Sequence, residues 1–225
     1  VINTATGALD LSKLTVGVVD VTGADLSNAA VTWMIVAAGD ELRLTSGQAT
    51  GQTILAAENA SAVITVSGLA GDANLTNIGN ATATVNATVT GSIDITGNVH
   101  LGNVDKYTVS SGQTLVATAD QVAGIAVDGE GRLTVNGTAT GATDLSSLSA
   151  DVVDITGADL TNGSVTWMTV AAGDELRLTS AQATGQTIVT AADPSAVITV
   201  SGLANNVDLT NIGNATATVN ATVTG

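Results

Sequence analysis

A long internal repeat constrains this chain more than any other feature of its sequence. Residues 1–91 return almost unchanged as residues 135–225, and Trp33 recurs as Trp167, an offset of 134 (167 − 33). Self-similarity at a fixed period is typical of repeat architectures, in which one supersecondary unit is stacked many times. We therefore divide the chain into a first copy (1–91), an intervening part (92–134) and a second copy (135–225), and expect the array to continue beyond both ends.

A shorter repeat lies inside this period. The sequence VVDVTGADL at 18–26 returns as SIDITGNVH at 92–100 and as VVDITGADL at 152–160. The starting positions are separated first by 74 (92 − 18) and then by 60 (152 − 92). The period therefore holds a long and a short version of one module, which is the pattern of a duplicated duplication.

Every module also contains a turn motif and one helix signal. A V-[AS]-[AS]-G turn is followed by T-x-x-Q-x-x-G, at Thr45–Gly51, Thr118–Gly124 and Thr179–Gly185. A threonine before a helical turn can accept a hydrogen bond from the first backbone N–H groups, and a glycine can end the turn in the left-handed conformation. We predict one capped helical turn at each of these three places.

The remainder of the chain has the pattern of β-strands. The clearest example is ATATVNATVT at 81–90, which returns at 215–224 and alternates small apolar with polar residues. A period of two is the signature of a strand with one buried face, here the alanines and valines from Ala81 to Val89. The opposite face would contact other chains if the strand lay at a sheet edge. This threonine row consists of Thr82, Thr84, Asn86, Thr88 and Thr90.

Two all-β architectures fit these patterns. Short strands between glycine or asparagine turns, together with tandem copies, favour a tandem-repeat β-solenoid of the parallel β-helix type. Its thin core suits small and β-branched side chains, and this chain has no phenylalanine and only 1% aromatic residues. The alternative is a string of small β-sandwich modules, which the long alternation at 81–90 favours. We predict the solenoid.

The charge balance limits the partners. Twenty acidic residues stand against five basic ones, which gives a formal net charge of −15. Nucleic acids and anionic membrane surfaces both attract basic segments, so we predict neither as a partner. No run of 18 apolar residues is present, and we therefore predict that the chain does not span a membrane. The chain has no cysteine, and hence neither disulfides nor a thiolate metal site.

Sequence signals of catalysis are sparse. The one histidine, His100, lies in the poorly matching middle module, whereas a catalytic triad or a zinc site needs histidine or cysteine in a fixed constellation. The glycines of DGEGR at 128–132 match no phosphate-binding pattern and suit a hairpin-like turn between strands. An enzyme rarely needs its site copied along an array. We predict that the chain is not an enzyme.

Calcium is the one cofactor that the acidic residues suggest. It binds six to eight oxygens from carboxylates and carbonyls, which acidic turns supply. The chain has no EF-hand loop and no calcium-binding nonapeptide, and the alternative is a solvated acidic surface that keeps a long polymer soluble. The candidate ligands are Asp20, Asp25, Asp40, Glu41, Asp128, Glu130, Asp154, Asp159, Asp174 and Glu175.

The two tryptophans occupy equivalent positions, and the copies differ close to them. Ile35 becomes Thr169, at the second position after Trp33 and Trp167 respectively. Alternate residues of a strand share a face, so a position that accepts threonine predicts a partly exposed face for the tryptophan. Each indole either covers the end of a module's core or forms a platform that stacks a sugar or docks a partner. Both interpretations fit the sequence.

The segment VSSGQTLVATADQVAGIAVDGEGRLTVNG at 109–137 resembles the Thr/Val/Gly-rich β-strand repeats of giant bacterial cell-surface proteins. Long adhesins, S-layer-like proteins and extracellular filament subunits belong to this group. The likeness extends over essentially the whole chain. It implies an exported protein that forms rods or fibres, and it carries over no catalytic residue. The calcium-binding glycine repeats of some relatives are missing here.

We therefore expect a structural, extracellular repeat protein that forms a rod, a surface layer or a filament shaft by stacking tandem β-modules. Its expected partners are other copies of itself. A second hypothesis is an adhesin repeat that binds glycans or surfaces. A third is an ice-binding β-solenoid, in which outward threonines match an ice face. Glycan-array binding and thermal hysteresis distinguish these hypotheses.

Overall fold

A computed structural model describes residues 7–27, 29–57, 61–79, 82–214 and 216–223. Its regular elements are mostly short β-strands, and the helices have a single turn each. In chain order the described elements are β1 (Gly7–Asp10), β2 (Val18–Asp20), β3 (Ala29–Thr32), β4 (Glu41–Thr45), α1 (Ser46–Ala49), β5 (Val63–Ser67), β6 (Thr84–Val89), β7 (Ile93–Asp94), β8 (Lys106–Val109), β9 (Thr114–Thr118), α2 (Ala119–Val122), β10 (Ala126–Thr138), β11 (Thr143–Asp144), β12 (Leu148–Asp159), β13 (Val165–Thr166), β14 (Glu175–Thr179), α3 (Ser180–Ala183), β15 (Val197–Leu203) and β16 (Thr218–Val223).

The chain divides into two compact units. Unit 1 comprises Val1–Ile93 and Gly97–Tyr107, and unit 2 comprises Asp94–Thr96 and Thr108–Gly225. The division lies inside the intervening part of the sequence, at 93–108, and not at the ends of the two sequence copies. The structural units therefore do not follow the sequence copies.

Unit 1 is built on a parallel sheet in the order β2–β4–β5–β6. Each strand follows the previous one after a full turn of the chain, so equivalent positions lie side by side. One row of inward-facing side chains runs through Val19, Leu42, Ile64 and Val85, all of them buried. A second, smaller parallel sheet pairs β1 with β3. The core of this unit therefore consists of stacked aliphatic rows.

Unit 2 repeats this arrangement. Its strands β10, β12, β14, β15 and β16 pair in parallel in that order, and β9 also pairs with β10. A small parallel sheet joins β11 and β13. The buried inward row of unit 2 contains Leu115, Leu133, Val153, Leu176 and Ile198.

This pairing identifies the fold as a β-solenoid. The strand pairs named above are parallel, as are the isolated bridges Val36–Ala56 and Ile188–Ile212, whereas β-sandwiches are built from antiparallel strands. The sandwich alternative is therefore wrong. The sequence numbers of paired positions such as Leu42 and Ile64 differ by 22 (64 − 42). The offset of 134 between the copies thus corresponds to about six turns (134/22).

The predicted helical turns are confirmed in all three modules. Thr45, Thr118 and Thr179 precede α1, α2 and α3, and each hydroxyl accepts a hydrogen bond from the backbone N–H of the motif glutamine. The closing glycines adopt the left-handed conformation, with φ of +73° at Gly51 and +71° at Gly185. The motif therefore has the same local backbone wherever it occurs.

Two local predictions need correction. The alternating segment 81–90 forms a strand only over Thr84–Val89, while Ala81 lies outside the described residues. A strand of this length fits a solenoid turn and removes the argument for a sandwich. The DGEGR segment at 128–132 is not a hairpin turn, because it lies within β10. Pairing with β12 continues on both sides of this segment and only shifts its register there.

Candidate functional site

A groove lies beside the tryptophan of unit 1. Its volume is about 520 Å³. Trp33 stands at its wall directly after β3, and the indole Nε1 donates a hydrogen bond to Oε1 of Gln52 at 2.9 Å. The half-buried Val31 adds an apolar surface next to the ring. The polar side chains that line the groove are Thr22, Asp25, Ser27, Thr45, Gln48 and Gln52.

Unit 2 contains an equivalent groove, and we call the two the tryptophan grooves. The second has a volume of about 610 Å³, and Trp167 Nε1 donates to Oε1 of Gln186 at 3.0 Å. Its lining includes Asp159, Thr179 and Gln182, each related to its counterpart in unit 1 by the offset of 134. The same chemistry is therefore built twice in one chain.

Both tryptophans are half-buried, and the second residue after each faces solvent. Ile35 is 62% exposed, and Thr169, which replaces it in the second copy, is also exposed. This is the exposed face that the exchange of isoleucine for threonine predicts. Each indole thus lies at the wall of an open groove, an arrangement compatible with both the covering and the platform interpretation.

The middle module replaces the pair that defines the groove. Its turn motif VSSG aligns with VAAG of the first module at an offset of 73 (109 − 36), so Lys106 takes the place of Trp33 and Ile125 that of Gln52. The tryptophan and its glutamine are therefore present together or replaced together. A half-buried indole N–H needs an acceptor, which explains why the two side chains form one unit.

A second glutamine at the edge of each groove joins successive turns, and we call this contact the glutamine clamp. Oε1 of Gln48 accepts a hydrogen bond from the backbone N–H of Thr45 at 2.7 Å. Its Nε2 donates to the carbonyl oxygens of Val21 and Ala24, both at 2.7 Å. Gln182 makes the same three bonds in unit 2. The clamp thus combines a helix cap with a tie to the preceding turn.

Four candidate calcium ligands cap turns of their own chain segment. Asp20 accepts hydrogen bonds from the backbone N–H and the hydroxyl of Thr22, at 3.0 and 2.7 Å. Asp25, Asp154 and Asp159 bind the nearby serine or threonine in the same way. These hydrogen bonds, first from the side chain and then from the backbone, lower the pKa of Asp20, Asp25 and Asp159.

Asp154 has an additional partner in Arg132, with which it forms an ion pair. Burial alone would raise the pKa of Asp154. The hydrogen bonds from Thr156 and then from Arg132 outweigh that effect, so the pKa of Asp154 lies below its ordinary value.

The two glutamates among the candidates are held by arginines. Oε2 of Glu41 lies 2.7 Å from Nη2 of Arg43, and its Oε1 accepts a hydrogen bond from Thr65 at 2.8 Å. Glu175 is paired with Arg177 in the same way at 2.6 Å. The hydrogen bond from the arginine is the main reason why the pKa of each glutamate is lowered.

Asp40 and Asp174 end the glycine turns that the sequence predicts. The backbone N–H of Asp40 donates to the carbonyl of Ala37 at 3.1 Å, and that of Asp174 closes the equivalent turn at 3.2 Å. Burial, followed by repulsion from Asp151, raises the pKa of Asp174. In the first copy Gly17 occupies the position of Asp151. The two turns therefore have the same backbone hydrogen bond, but only the second has an additional carboxylate, that of Asp151, nearby.

The last pair of candidates lies on β10. Asp128 accepts a hydrogen bond from the hydroxyl of Thr108 at 2.8 Å, whereas Glu130 is exposed. In the parts of the chain that the structure describes, no three side chains of His, Cys, Asp or Glu form a group that could hold a metal ion. Calcium stays a prediction, and the side-chain contacts found for seven of the ten candidates are with serine, threonine or arginine.

The threonine row has Thr84, Asn86 and Thr88 on β6, inside the sheet of unit 1, and Thr82 and Thr90 just outside the ends of this strand. One neighbour of β6 is β5, and on the other side the backbone N–H of Asp105 donates to the Val85 carbonyl at 2.9 Å. The Asp105 carboxylate also accepts a hydrogen bond from the Val85 N–H at 2.8 Å. The row therefore does not lie at a free sheet edge. Its exposed or half-buried members are Thr82, Thr84, Asn86, Thr88 and Thr90.

The neighbouring strands interrupt the threonine row. Thr84 aligns with Val63 on β5 and then with Glu41 on β4. Asn86 aligns with Thr65 on β5, but the next position in this register is Arg43 on β4. An ice-binding face requires many threonines stacked in register, and these neighbours do not build such an array. The register of the sheet therefore argues against the ice-binding hypothesis.

The glutamines of the tryptophan grooves carry no signal in the sequence motifs. Gln52 and Gln186 lie outside T-x-x-Q-x-x-G, directly after its closing glycine. The signal that could have found them is their joint exchange with the tryptophan between modules. The clamp glutamines were visible in the motif, but only as neighbours of the capping threonine.

Comparison of the chain with protein-family models, with curated proteins and with solved structures finds no match. The grooves are therefore interpreted from their own chemistry. Among the helices in the described ranges, none has the length and apolar character needed to cross a membrane.

Proposed function

We propose that the chain is a structural repeat protein of the cell exterior, in which stacked solenoid turns form a stiff spacer or filament shaft. The main support is the recurrence of one set of contacts at the offset of 134. The inward aliphatic rows and the glutamine clamp have the same geometry in both units. Repeat proteins whose units contact only their neighbours can be lengthened without a change in local packing.

The glutamine clamp supplies a mechanism for holding adjacent turns together. The clamps of Gln48 and Gln182 each make hydrogen bonds to three backbone groups, two of which belong to the preceding turn. A single hydrogen bond contributes about 0.5–1.5 kcal/mol net to stability, so a clamp in every module stabilises the contact between adjacent turns along the whole array. The buried aliphatic rows stabilise the same contact through the hydrophobic effect, which is not directional.

The acidic surface fits an exposed, extended polymer. Aspartates that cap their own turns keep their charge at neutral pH, because the hydrogen bonds they accept lower their pKa. A net charge of −15 keeps neighbouring molecules apart and soluble. We assign the protein to the cell exterior because residues 109–137 resemble bacterial cell-surface repeats, and the proposal includes no catalytic reaction.

A series of lengthened chains tests the spacer role. Three chains are compared by negative-stain microscopy and small-angle X-ray scattering. They contain one, two or three consecutive copies of residues 1–134, and each chain ends with a single copy of residues 135–225. We expect the particle to lengthen by about 29 Å for each added copy, since strands of neighbouring turns lie about 4.8 Å apart and a copy holds about six turns. Particles that remain compact as copies are added would contradict the proposal.

Removal of calcium by a chelator distinguishes a calcium-independent spacer from a rod whose structure requires calcium. The same chains are measured with calcium and with excess EDTA. We expect equal lengths, because seven of the ten candidate ligands already bind serine, threonine or arginine side chains. A particle that shortens or unfolds on chelation would instead make those carboxylates calcium ligands.

A further inference from the structure

We propose that the two tryptophan grooves bind neutral carbohydrate chains, with one stretch of sugar in each groove. The chain would then be a multivalent glycan binder as well as a spacer. This inference goes beyond the spacer role, and neither activity requires the other.

The wall of each groove offers an aromatic surface for stacking. Trp33 is half-buried, and its indole is held in orientation by the hydrogen bond to Gln52. Val31 lines the groove beside the ring. Sugar rings present apolar C–H faces, and a tryptophan fixed by its N–H is a large, rigid partner for such a face.

Hydrogen-bonding groups lie in the same groove. Asp25 uses Oδ1 to cap its own turn, and within the described parts of the chain its Oδ2 accepts no hydrogen bond. Gln52 receives the indole N–H on Oε1, and within the same parts its Nε2 donates none. A carboxylate acceptor and an amide donor beside an aromatic wall match the paired hydroxyl groups of a sugar.

The charge and shape of the grooves favour a neutral sugar chain over other ligands. Among the described residues that line either groove there is no lysine, arginine or histidine, and each groove contains an aspartate. An anionic polysaccharide would therefore be repelled, the more so by a chain of net charge −15. A small apolar ligand would need an enclosed pocket, whereas these grooves are open and the described lining of each includes six polar side chains of Asp, Ser, Thr or Gln.

Comparison of the three modules separates binding residues from structural ones. At the offset of 73, the middle module has Lys106 and Ile125 in place of the tryptophan and the groove glutamine. At the offset of 74 (92 − 18) that relates VVDVTGADL to SIDITGNVH, it has Val99 in place of the groove aspartate. It nevertheless keeps the clamp, because Gln121 accepts from the Thr118 N–H at 2.9 Å and donates to a carbonyl of the preceding turn at 2.7 Å. Solenoid stacking thus needs the clamp in every module but not the groove residues.

The tryptophans make the binding measurable in the unmodified protein. The chain has two tryptophans, and each lines a groove, so the intrinsic fluorescence reports on these sites directly. The full chain is titrated with three neutral hexasaccharides, namely cellohexaose, maltohexaose and chitohexaose. We expect a saturable change in emission with at least one of them. Hexagalacturonate, an anionic probe of the same length, should bind at least tenfold more weakly.

Substitutions taken from the chain's own modules test the assignment. Asp25→Val and Asp159→Val together introduce the residue of the middle module, and we expect them to weaken hexasaccharide binding at least tenfold while both tryptophans remain as reporters. Ile35→Thr is the control, because it introduces the residue of the second copy at a position outside the groove lining. The hexasaccharide affinity of this variant should stay within twofold of that of the unmodified chain. Circular dichroism checks that both variants remain folded.

Three outcomes overturn the inference. They are the absence of a saturable response to all three neutral probes, binding of hexagalacturonate as tight as that of the best neutral probe, and unchanged affinity in the folded aspartate double variant. None of these results bears on the spacer role, which is measured by particle length. Conversely, a compact particle that still binds hexasaccharides would reject the spacer and leave the grooves as carbohydrate sites.

Discussion

Gln182 shows at the residue scale how a single side chain connects two turns of the solenoid. Its Oε1 accepts the backbone N–H of Thr179, and its Nε2 donates to the carbonyls of Ile155 and Ala158, all at 2.7 Å. Backbone groups in the interior need partners, and no ladder hydrogen bond is available where the chain turns. The amide of glutamine supplies both the acceptor and the two donors, which neither glutamate nor a shorter side chain can do.

Replacement of Gln182 should destabilise unit 2. We expect Gln182→Ala to lower the free energy of unfolding by about 1–3 kcal/mol, because three backbone groups lose their partner. Gln182→Glu keeps the acceptor but places a carboxylate beside two carbonyl oxygens, so it should be at least as destabilising at neutral pH. Urea denaturation followed by circular dichroism measures both. Thr187→Ala, at an exposed position, is the control. A midpoint equal to that of the control would show that the clamp does not hold the turns.

Asp174 has a different charge environment from its counterpart Asp40, because Asp151 replaces Gly17 in the second copy. Burial and then the neighbouring Asp151 raise its pKa, so the folded state holds the proton more tightly than the unfolded chain does. A raised carboxyl pKa makes the folded state less stable as the pH rises through that pKa. We expect Asp151→Asn to lower the pKa of Asp174 and to raise the Tm at pH 7 more than at pH 3. NMR titration of the Asp174 carboxyl measures the shift, and an unchanged pKa would rule out the repulsion.

At the element scale, β10 shows how a solenoid strand accommodates an irregular stretch. Gly129 lies inside this strand with φ of +102°, a conformation that side-chain-bearing residues rarely adopt. A Cβ atom at this position would lie 2.3 Å from the carbonyl oxygen of Val109. The backbones of two strands therefore approach each other too closely for any residue but glycine. The glycines of DGEGR permit a close approach and not the turn that the sequence suggested.

Substitution of Gly129 should be among the most damaging changes in the chain. We expect Gly129→Ala to lower the free energy of unfolding by about 3 kcal/mol, because the backbone strain and the clash with Val109 act together. Gly141→Ala is the matched control, since its Cβ would meet nothing within 4 Å and its φ is not positive. Thermal denaturation compares the two variants. Similar Tm values would show that β10 can move away from β8 at little cost.

At the scale of the whole molecule, the acidic residues act through a shared local motif. An aspartate accepts the backbone N–H and in most cases the hydroxyl of a serine or threonine at the second position after it, and this pattern extends over both units. The hydrogen bonds lower the pKa of these aspartates, so the caps are strongest in the charged form. Aspartates of this kind with a lowered pKa are Asp10, Asp20, Asp25, Asp94, Asp144, Asp154, Asp159, Asp193 and Asp208.

The stability of the whole chain should therefore fall in acid. A carboxyl whose pKa is lower in the folded state contributes stability that is present above its unfolded pKa, about 4, and that is lost as the pH falls through the lower folded value. We expect a constant Tm from pH 7 to pH 5 and a decrease below about pH 4. High salt screens the repulsion within the acidic chain and should leave this decrease in place. A Tm at pH 3 equal to that at pH 7 would contradict the role of the aspartate caps.

Local features could be predicted from the sequence because their contacts lie within one short segment. The cap of Thr45 by Gln48 and the left-handed Gly51 depend on neighbours in a single motif, and the structure confirms them. The alternation at Val85 to Val89 likewise shows directly which face of β6 is buried. The extent of β6 and the conformation around Gly129 could not be predicted, because both depend on strands of adjacent turns.

The sequence by itself determined the repeat, the β-rich turns and the helical caps, since similar copies in a constant register and short motifs require no knowledge of distant contacts. Only the tertiary structure decided which distant residues meet. Trp33 meets Gln52 across 19 residues and lies with Asp25 on one groove because successive turns stack in a fixed register. Stacking also brings Gln48 to the carbonyl of Val21, 27 residues away. A period in the sequence specifies that turns are alike, whereas the register between turns depends on side-chain packing in three dimensions.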